Sequence, residues 1–136
     1  MQQTQDPVVR RQDDVVPEDL YGFKRRVFFS PSTVGSKYMK FAIVHGRPGA
    51  RSVPHTHPGG EVALTLEGRA RLVANGKKYE LSAATAVSVP PGVQHPAESV
   101  GEQDWVVATA YWEECPLVRD KRAQDRAAGA TATSHP

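Results

Sequence analysis

Two of the five histidines in this 136-residue chain are separated by a single residue, and a carboxylate follows them closely. In a strand, residues two apart point to the same face, so the side chains of His55 and His57 would project side by side. Two imidazoles on one face form a metal chelate. The Pro-Gly-Gly bend at residues 58–60 could then return the carboxylate of Glu61 to the same place.

A third imidazole could join this group from further along the chain. His95 follows a Pro-Pro-Gly turn that could carry a loop or a new strand back over the same cavity. Such a mixed nitrogen and oxygen set suits one divalent ion, Fe(II), Mn(II), Ni(II), Zn(II) or Cu(II), and leaves positions open for water or substrate. The candidate metal ligands are therefore His55, His57, Glu61 and His95.

The alternative is a set of scattered surface histidines, because an isolated His-x-His pattern is common. Against it, three of the five histidines fall inside segments framed by Gly and Pro, and Glu61 sits where a turn could return it. His45 and His135 lack such partners, and we interpret them as a strand-end residue and a tail residue.

The elements that would position these residues are short and strand-like. Five runs rich in β-branched and aromatic residues, separated by Gly, Pro or Asn-Gly, cover residues 37–46, 61–68, 69–82, 85–92 and 104–112. Asn75-Gly76 is the clearest turn, since both positions tolerate the positive φ of a type I′ hairpin. No segment reads as a long amphipathic helix, so the sequence predicts an all-β sandwich or small barrel.

Length and composition predict one domain with two flanking segments outside its core. Residues 1–19 are polar, charged and interrupted by prolines, which predicts a flexible N-terminal arm. Residues 20–118 form the predicted domain. The composition of residues 119–136 predicts a short C-terminal helix followed by a disordered tail.

Charge and hydropathy argue against two classes of partner. The chain has 17 Lys and Arg against 15 Asp and Glu, and no basic run is dense enough to follow a phosphate backbone, so no nucleic-acid partner is expected. No run of 18 apolar residues and no apolar signal-peptide core occurs, which predicts no membrane partner and a cytoplasmic protein. The single cysteine, Cys115, agrees with a reducing compartment.

The spacing of these residues resembles that of the cupins. Gly49, His55, His57, Glu61 and Gly68 match every fixed position of the first cupin motif. The stretch from residue 55 to residue 68, HTHPGGEVALTLEG, looks most like cupins of the anti-sigma-factor and small dioxygenase type.

The second cupin motif is matched at its centre by residues 90–95, PPGVQH, whereas Ala84 and Ser99 stand in place of its leading Gly and closing Asn. The resemblance spans residues 38–112. It implies an all-β double-stranded β-helix, a jelly-roll barrel, and it favours a homodimer. It also implies that one divalent metal ion is held inside by His55, His57, Glu61 and His95.

A small-molecule substrate is the expected partner of the metal. If Glu61 points inward, Ala63 and Thr65 do so too, and their small side chains leave room beside the metal. Residues 105–112 are apolar on both faces, so one face should meet the barrel and the other a second sheet or subunit. The candidate substrate contacts are Tyr38, Phe41, Thr65, Tyr111 and Trp112, with core packing as the alternative for the aromatic residues. Arg47, Arg69 and Arg71 could clamp a substrate carboxylate or simply form a solvated face.

Three functions are compatible with these features. The first is a metal-dependent enzyme, most directly a dioxygenase, acting on a small oxygen-bearing organic substrate with Glu61 as catalytic proton acceptor. The second is a lyase, isomerase or cyclase that uses the metal without O2. The third is a non-catalytic sensor or small-molecule-binding protein. Outside the ligands only Tyr111 and His45 could supply acid-base chemistry, which favours metal-centred oxidation or isomerisation.

Overall fold

The computed structural model describes residues 6–31, 39–57 and 59–112. Within them the chain forms nine β-strands and one short 3-10 turn at Gln12–Asp14. The strands in chain order are β1 (Glu18–Leu20), β2 (Phe23–Phe29), β3 (Met39–Gly46), β4 (Glu61–Glu67), β5 (Arg69–Ala74), β6 (Lys77–Leu81), β7 (Ala86–Val89), β8 (Ala97–Val100) and β9 (Trp105–Trp112). None of the described residues form a helix long and apolar enough to cross a membrane.

The strands form two antiparallel sheets. The larger has the order β1-β2-β3-β9-β4-β7, and the smaller has the order β6-β5-β8. Several neighbours in space, such as β3 and β9, are far apart in sequence, as expected where strands cross between the two sheets of a jelly roll. The predicted all-β jelly-roll barrel is therefore confirmed.

The hydrophobic core lies between the inner faces of the two sheets. Side chains alternate between faces along a strand, so every second residue contributes to it. On β9, Trp105 and Val107 belong to this core, and Val106 on the opposite face is also buried. β9 lies in the larger sheet between β3 and β4, and residues on both of its faces are buried.

The predicted strand runs are confirmed, and three further strands were not predicted. Each run contains at least one observed strand, and Asn75 and Gly76 adopt positive φ angles of 51° and 75° at the predicted hairpin turn. The unpredicted strands are β1, β2 and β8. β1 begins at Glu18, inside the segment assigned to the N-terminal arm. The predicted C-terminal segment, residues 119–136, lies outside the described residues.

The two departures from the second cupin motif both occupy defined positions. Ala84 adopts a φ of 66°, a left-handed conformation that Gly reaches without steric cost, and its N–H donates to the carbonyl of Thr65 at 2.8 Å. Ser99 is buried, and its hydroxyl donates to the carbonyl of Gly46 at 3.2 Å. The fold thus accommodates Ala and Ser where the motif has Gly and Asn.

Candidate metal centre

His55 and His57 lie in a loop, so the assumption that they share a strand is wrong. Residues 52–57 form a connection without regular secondary structure that precedes β4. Ser52 ties this connection to β8, because its N–H donates to the carbonyl of Ala97 and its hydroxyl accepts from the N–H of Ala97, both at 2.8 Å. Hydrogen bonds to β8, rather than strand alternation, thus place the two histidines.

The turn that precedes His95 is bonded directly to the loop of His57. The carbonyl of His57 accepts the N–H of Gly92 at 3.1 Å and the N–H of Gly60 at 3.3 Å. Gly60 and Gly92 have φ angles of 80° and 77°. A Cβ on Gly60 would lie 2.9 Å from the carbonyl oxygen of Val89, so this close approach requires Gly.

Three imidazoles converge at this junction. The ligand atoms of His55, His57 and His95 all lie within 4.8 Å of one another, and their ring centroids are 4.6–5.2 Å apart. His57 and His95 are buried, and His55 is half-buried. The chain therefore holds a cluster of three histidines that could bind a metal ion, as predicted.

Backbone carbonyls orient two of these rings. Nδ1 of His55 lies 2.7 Å from the carbonyl oxygen of Val53, and Nδ1 of His95 lies 3.0 Å from that of Val93. An imidazole that donates its Nδ1–H to a carbonyl keeps Nε2 for a metal ion and has its ring orientation fixed. The two bonds therefore favour metal binding through Nε2.

Glu61 lies against the same cluster. Its Oε1 is 2.8 Å from Nε2 of His95 and 3.5 Å from Nε2 of His57. Two ligands bound to one ion at about 2.0–2.2 Å and at right angles are themselves about 3 Å apart. The donor set and its spacing thus fit a divalent ion, and the role of Glu61 as fourth ligand stays a prediction.

The charges of the cluster are coupled. Burial alone would raise the pKa of Glu61, but the hydrogen bond from His95 and the nearby imidazoles outweigh it and hold this pKa below its usual value. Burial alone would lower the pKa of His95, but the hydrogen bond to Glu61 outweighs it and raises this pKa. Burial lowers the pKa of His55. A metal ion binding here must therefore compete with a proton on His95.

The cluster faces a cavity of about 130 Å³ between the two sheets. The apolar side chains around it come from the inner faces of both sheets, and they include Val44, Ala63, Leu72, Val87, Val89 and Val107. Polar residues outside the cluster also line this cavity, among them Tyr111 and Arg25. The Tyr111 ring lies 4.7 Å from the His57 ring, and its hydroxyl accepts a hydrogen bond from Nη1 of Arg25 at 2.8 Å.

The predicted substrate contacts divide into three groups. Tyr111 lines the cavity, so its contact with substrate stays a prediction. Thr65 is not among the residues that line it: its buried hydroxyl accepts the indole N–H of Trp105 at 3.0 Å, and its contact with substrate stays a prediction. Phe41 lies on the opposite face of β3 from Val44, and its ring packs edge-on against Phe28, which favours the alternative of packing. The remaining two, Tyr38 and the side chain of Trp112, lie outside the described residues.

The cationic residue of the cavity is not one of the three arginines singled out in the sequence. Arg47 and Arg69 are exposed, and Arg71 pairs with Glu80 on the surface at 3.0 Å, which agrees with a solvated face. Arg25 instead lies on the inner face of β2, in a run of charged residues that gave no strand signal. His45 lies on the outer face of β3 and does not line the cavity.

Comparison with known proteins agrees with this geometry. A family model described as the cupin domain matches residues 42–111. The chain belongs to the cupin family. No curated protein matches this sequence.

Solved structures share the fold of this cupin at low sequence identity. An RmlC-like cupin from Shewanella frigidimarina is 20% identical, with a TM-score of 0.67 over 84% of this chain and 97% of that one. A predicted oxalate decarboxylase from Thermotoga maritima is 23% identical, with a TM-score of 0.68 over 77% and 99%. The polyketide cyclase RemF from Streptomyces resistomycificus is 19% identical, with a TM-score of 0.72 over 82% of each chain. These likenesses show the fold alone.

Proposed function

We propose that this cupin is a mononuclear metal-dependent enzyme, a dioxygenase, that acts on a small oxygen-bearing organic substrate. The observation that carries the proposal is the convergence of three imidazoles within 4.8 Å at an apolar-walled cavity. Three histidine ligands, with or without a carboxylate, leave coordination positions for substrate oxygen atoms, and the cavity beside them supplies the space.

Each residue of the site has a role in this proposal. The three histidines would hold the ion, with Glu61 as the fourth ligand. The bound ion would supply Lewis-acid polarisation of a substrate oxygen and, if redox-active, activation of O2. Glu61 is ionised near neutral pH because its pKa is held low, so it can accept a proton from a substrate bound beside it. The apolar walls limit water and strengthen electrostatic interactions within the site.

A second candidate is a lyase, isomerase or cyclase that uses the same ion without O2. The observation that favours it is the Tyr111 hydroxyl, which lines the cavity and is bonded to Arg25. Of the two groups outside the ligands that could supply acid-base chemistry, Tyr111 and His45, only Tyr111 lines the cavity, and its hydroxyl could transfer a proton in a reaction without O2. The cyclase and the predicted oxalate decarboxylase named above show that the same scaffold occurs in proteins with such names.

Metal content and oxygen uptake test the proposal together. The protein, purified without added metal, is analysed for bound ions, and its melting temperature is measured before and after chelation. It is then loaded with Fe(II), Mn(II), Ni(II) or Zn(II) and assayed with β-diketone, flavonol-like and hydroxy-acid substrates, with O2 and without it. His55→Ala is the test variant, and His45→Ala is the matched control, because His45 lies outside the cavity.

We expect about one ion per chain, a lower melting temperature after chelation, and turnover that consumes O2. His55→Ala should lose both metal and turnover, whereas His45→Ala should retain both. Turnover in the absence of O2 would refute the dioxygenase and support the second candidate. Bound metal without turnover on any substrate would support a sensor or binding protein, and equal metal content in the two variants would refute the site.

A further inference from the structure

Arg25 is a buried cation inside the cavity. It is 7% exposed and faces inward from β2, beside mostly apolar walls. A buried guanidinium is costly unless its charge is paired and its N–H groups are bonded. The partners of Arg25 therefore indicate whether it serves only the fold.

Its anionic partner is Glu18, directly opposite on β1. Nε and Nη2 of Arg25 lie 2.9 and 2.8 Å from one and the same oxygen, Oε1 of Glu18. The Glu18 side chain is half exposed, whereas that of Arg25 is 8% exposed. The buried cation is thus held by one oxygen of a carboxylate that reaches solvent, and exchange of Glu18 for another carboxylate would keep the buried charge paired.

The second partner of Arg25 joins it to the metal centre. Nη1 donates to the Tyr111 hydroxyl at 2.8 Å, and the Tyr111 ring lies 4.7 Å from the ring of His57. One phenol ring therefore separates the guanidinium from a proposed metal ligand. A guanidinium has five N–H groups in a fork that matches a carboxylate, and the contacts to Glu18 and Tyr111 use three of them.

The charges of the site favour an anion. With three neutral imidazoles, a divalent ion and an ionised Glu61 leave a net charge of about +1 in the proposed centre, while Arg25 and Glu18 cancel each other. Most of the other residues that line the cavity are apolar, with Thr109 and Ser52 among the exceptions. A molecule that fits this pattern has a carboxylate at one end, a short apolar body, and an oxygen donor at the other.

We propose that Arg25 and Tyr111 form a carboxylate-binding subsite and that the substrate is a small carboxylate in which a second oxygen faces the metal centre. The substrate carboxylate pairs with Arg25 from the cavity in place of Glu18, and Glu18 turns towards solvent. The inference rests on the proposed metal-dependent function, because it places the other end of the substrate at the three histidines.

Ligand binding tests this subsite without any assay of turnover. The Zn(II)-loaded full chain is titrated calorimetrically with malonate and with malonamide, its uncharged analogue of similar shape. The same titration is repeated for Arg25→Gln, Glu18→Gln, and the double variant, which has the net charge of the original chain. Asp19→Asn is the matched control. Asp19 is the residue next to Glu18, it forms an exposed pair with Lys24, and its substitution removes the same charge as Glu18→Gln.

We expect malonate to bind more tightly than malonamide. Arg25→Gln should weaken malonate binding by about 10–100-fold, the scale of a lost charge-assisted hydrogen-bonded pair. Glu18→Gln should strengthen it, because the guanidinium no longer has a competing carboxylate. The double variant should bind as weakly as Arg25→Gln, and Asp19→Asn should match the original chain.

Each contrary result overturns a defined part of the reasoning. Equal binding of malonate and malonamide, or unchanged binding in Arg25→Gln, would refute the subsite. Weaker binding in Glu18→Gln would show that the pair serves only to order β1. Recovery of binding in the double variant would show a general charge effect. Failure of the original chain to hold Zn(II) would instead refute the metal centre, and zinc content measured for every variant separates that result from loss of the subsite.

Discussion

Ala84 offers a test of backbone strain beside the cupin motif. It occupies the place of the motif's leading Gly with a φ of 66°, whereas its exposed neighbour Ala83 does not have a positive φ. The left-handed conformation costs an Ala about 1–2 kcal/mol that a Gly does not pay. Replacing either Ala by Gly also lowers stability by about 0.4–1 kcal/mol, because the unfolded chain gains freedom.

The two substitutions should therefore have opposite effects on the free energy of unfolding. Ala83→Gly should lower it by about 0.4–1 kcal/mol, whereas Ala84→Gly should raise it by up to about 1.5 kcal/mol. Both side chains are exposed, so lost packing contributes little to either change. For a chain of this length the difference corresponds to about 3–8 °C in melting temperature.

Urea unfolding and calorimetry, with the same metal content in every sample, measure this difference. Unchanged denaturant slopes would show that the native and unfolded states are comparable among the variants. If Ala84→Gly lowered stability as much as Ala83→Gly, the left-handed conformation of Ala84 would carry no strain, and the reasoning would be refuted.

Four further outcomes follow from the site and its surroundings. Thr65→Val should lower the free energy of unfolding by about 1–2 kcal/mol, because the buried indole N–H of Trp105 loses its acceptor. The metal content should stay unchanged, and a parallel loss of metal would contradict the structural role of Thr65. Glu61→Gln should retain metal at reduced affinity while turnover falls ~10²-fold, and full activity would show that the carboxylate is neither base nor essential ligand. Metal affinity should weaken as pH falls through the pKa of His95, which is raised above 6.5, because the imidazole must lose its proton to bind the ion. Competition with a chelator measures this affinity. An affinity that does not change between pH 8 and pH 5, about the range in which His titrates, would argue against imidazole ligands. Leu64→Glu should convert the expected homodimer to a monomer in light-scattering measurements. The reason is that Val62, Leu64 and Leu66 lie 38–44% exposed on the outer face of β4. A monomeric original chain would refute the expected homodimer.

The sequence predicted those parts of the fold that depend on local patterns. Alternating β-rich runs and the Asn75-Gly76 turn located most strands of both sheets, because side-chain alternation and positive φ are local properties. β8 was missed because its sequence, AESV, shows no alternation of apolar and polar residues. Spacing also identified the three imidazoles, although His55 and His57 converge through hydrogen bonds between loops that no strand pattern describes.

The missed part of the site lies on β2, where the alternation that reveals a strand is broken by a charge. An inward position occupied by Arg25 reads as solvent-facing, since a buried guanidinium is rare without a partner. That partner, Glu18, lies 7 residues earlier in a segment whose composition predicted an arm. The charged pair Glu18 and Arg25 therefore hides the strand pattern of both β1 and β2 in the sequence, and the same pair places a cation inside the cavity. A strand interrupted in this way departs from the pattern that stabilises a core, and such departures are expected where a chain binds or transforms a ligand. The interruption at Arg25 thus belongs with the three histidines, as the second polar end of one site.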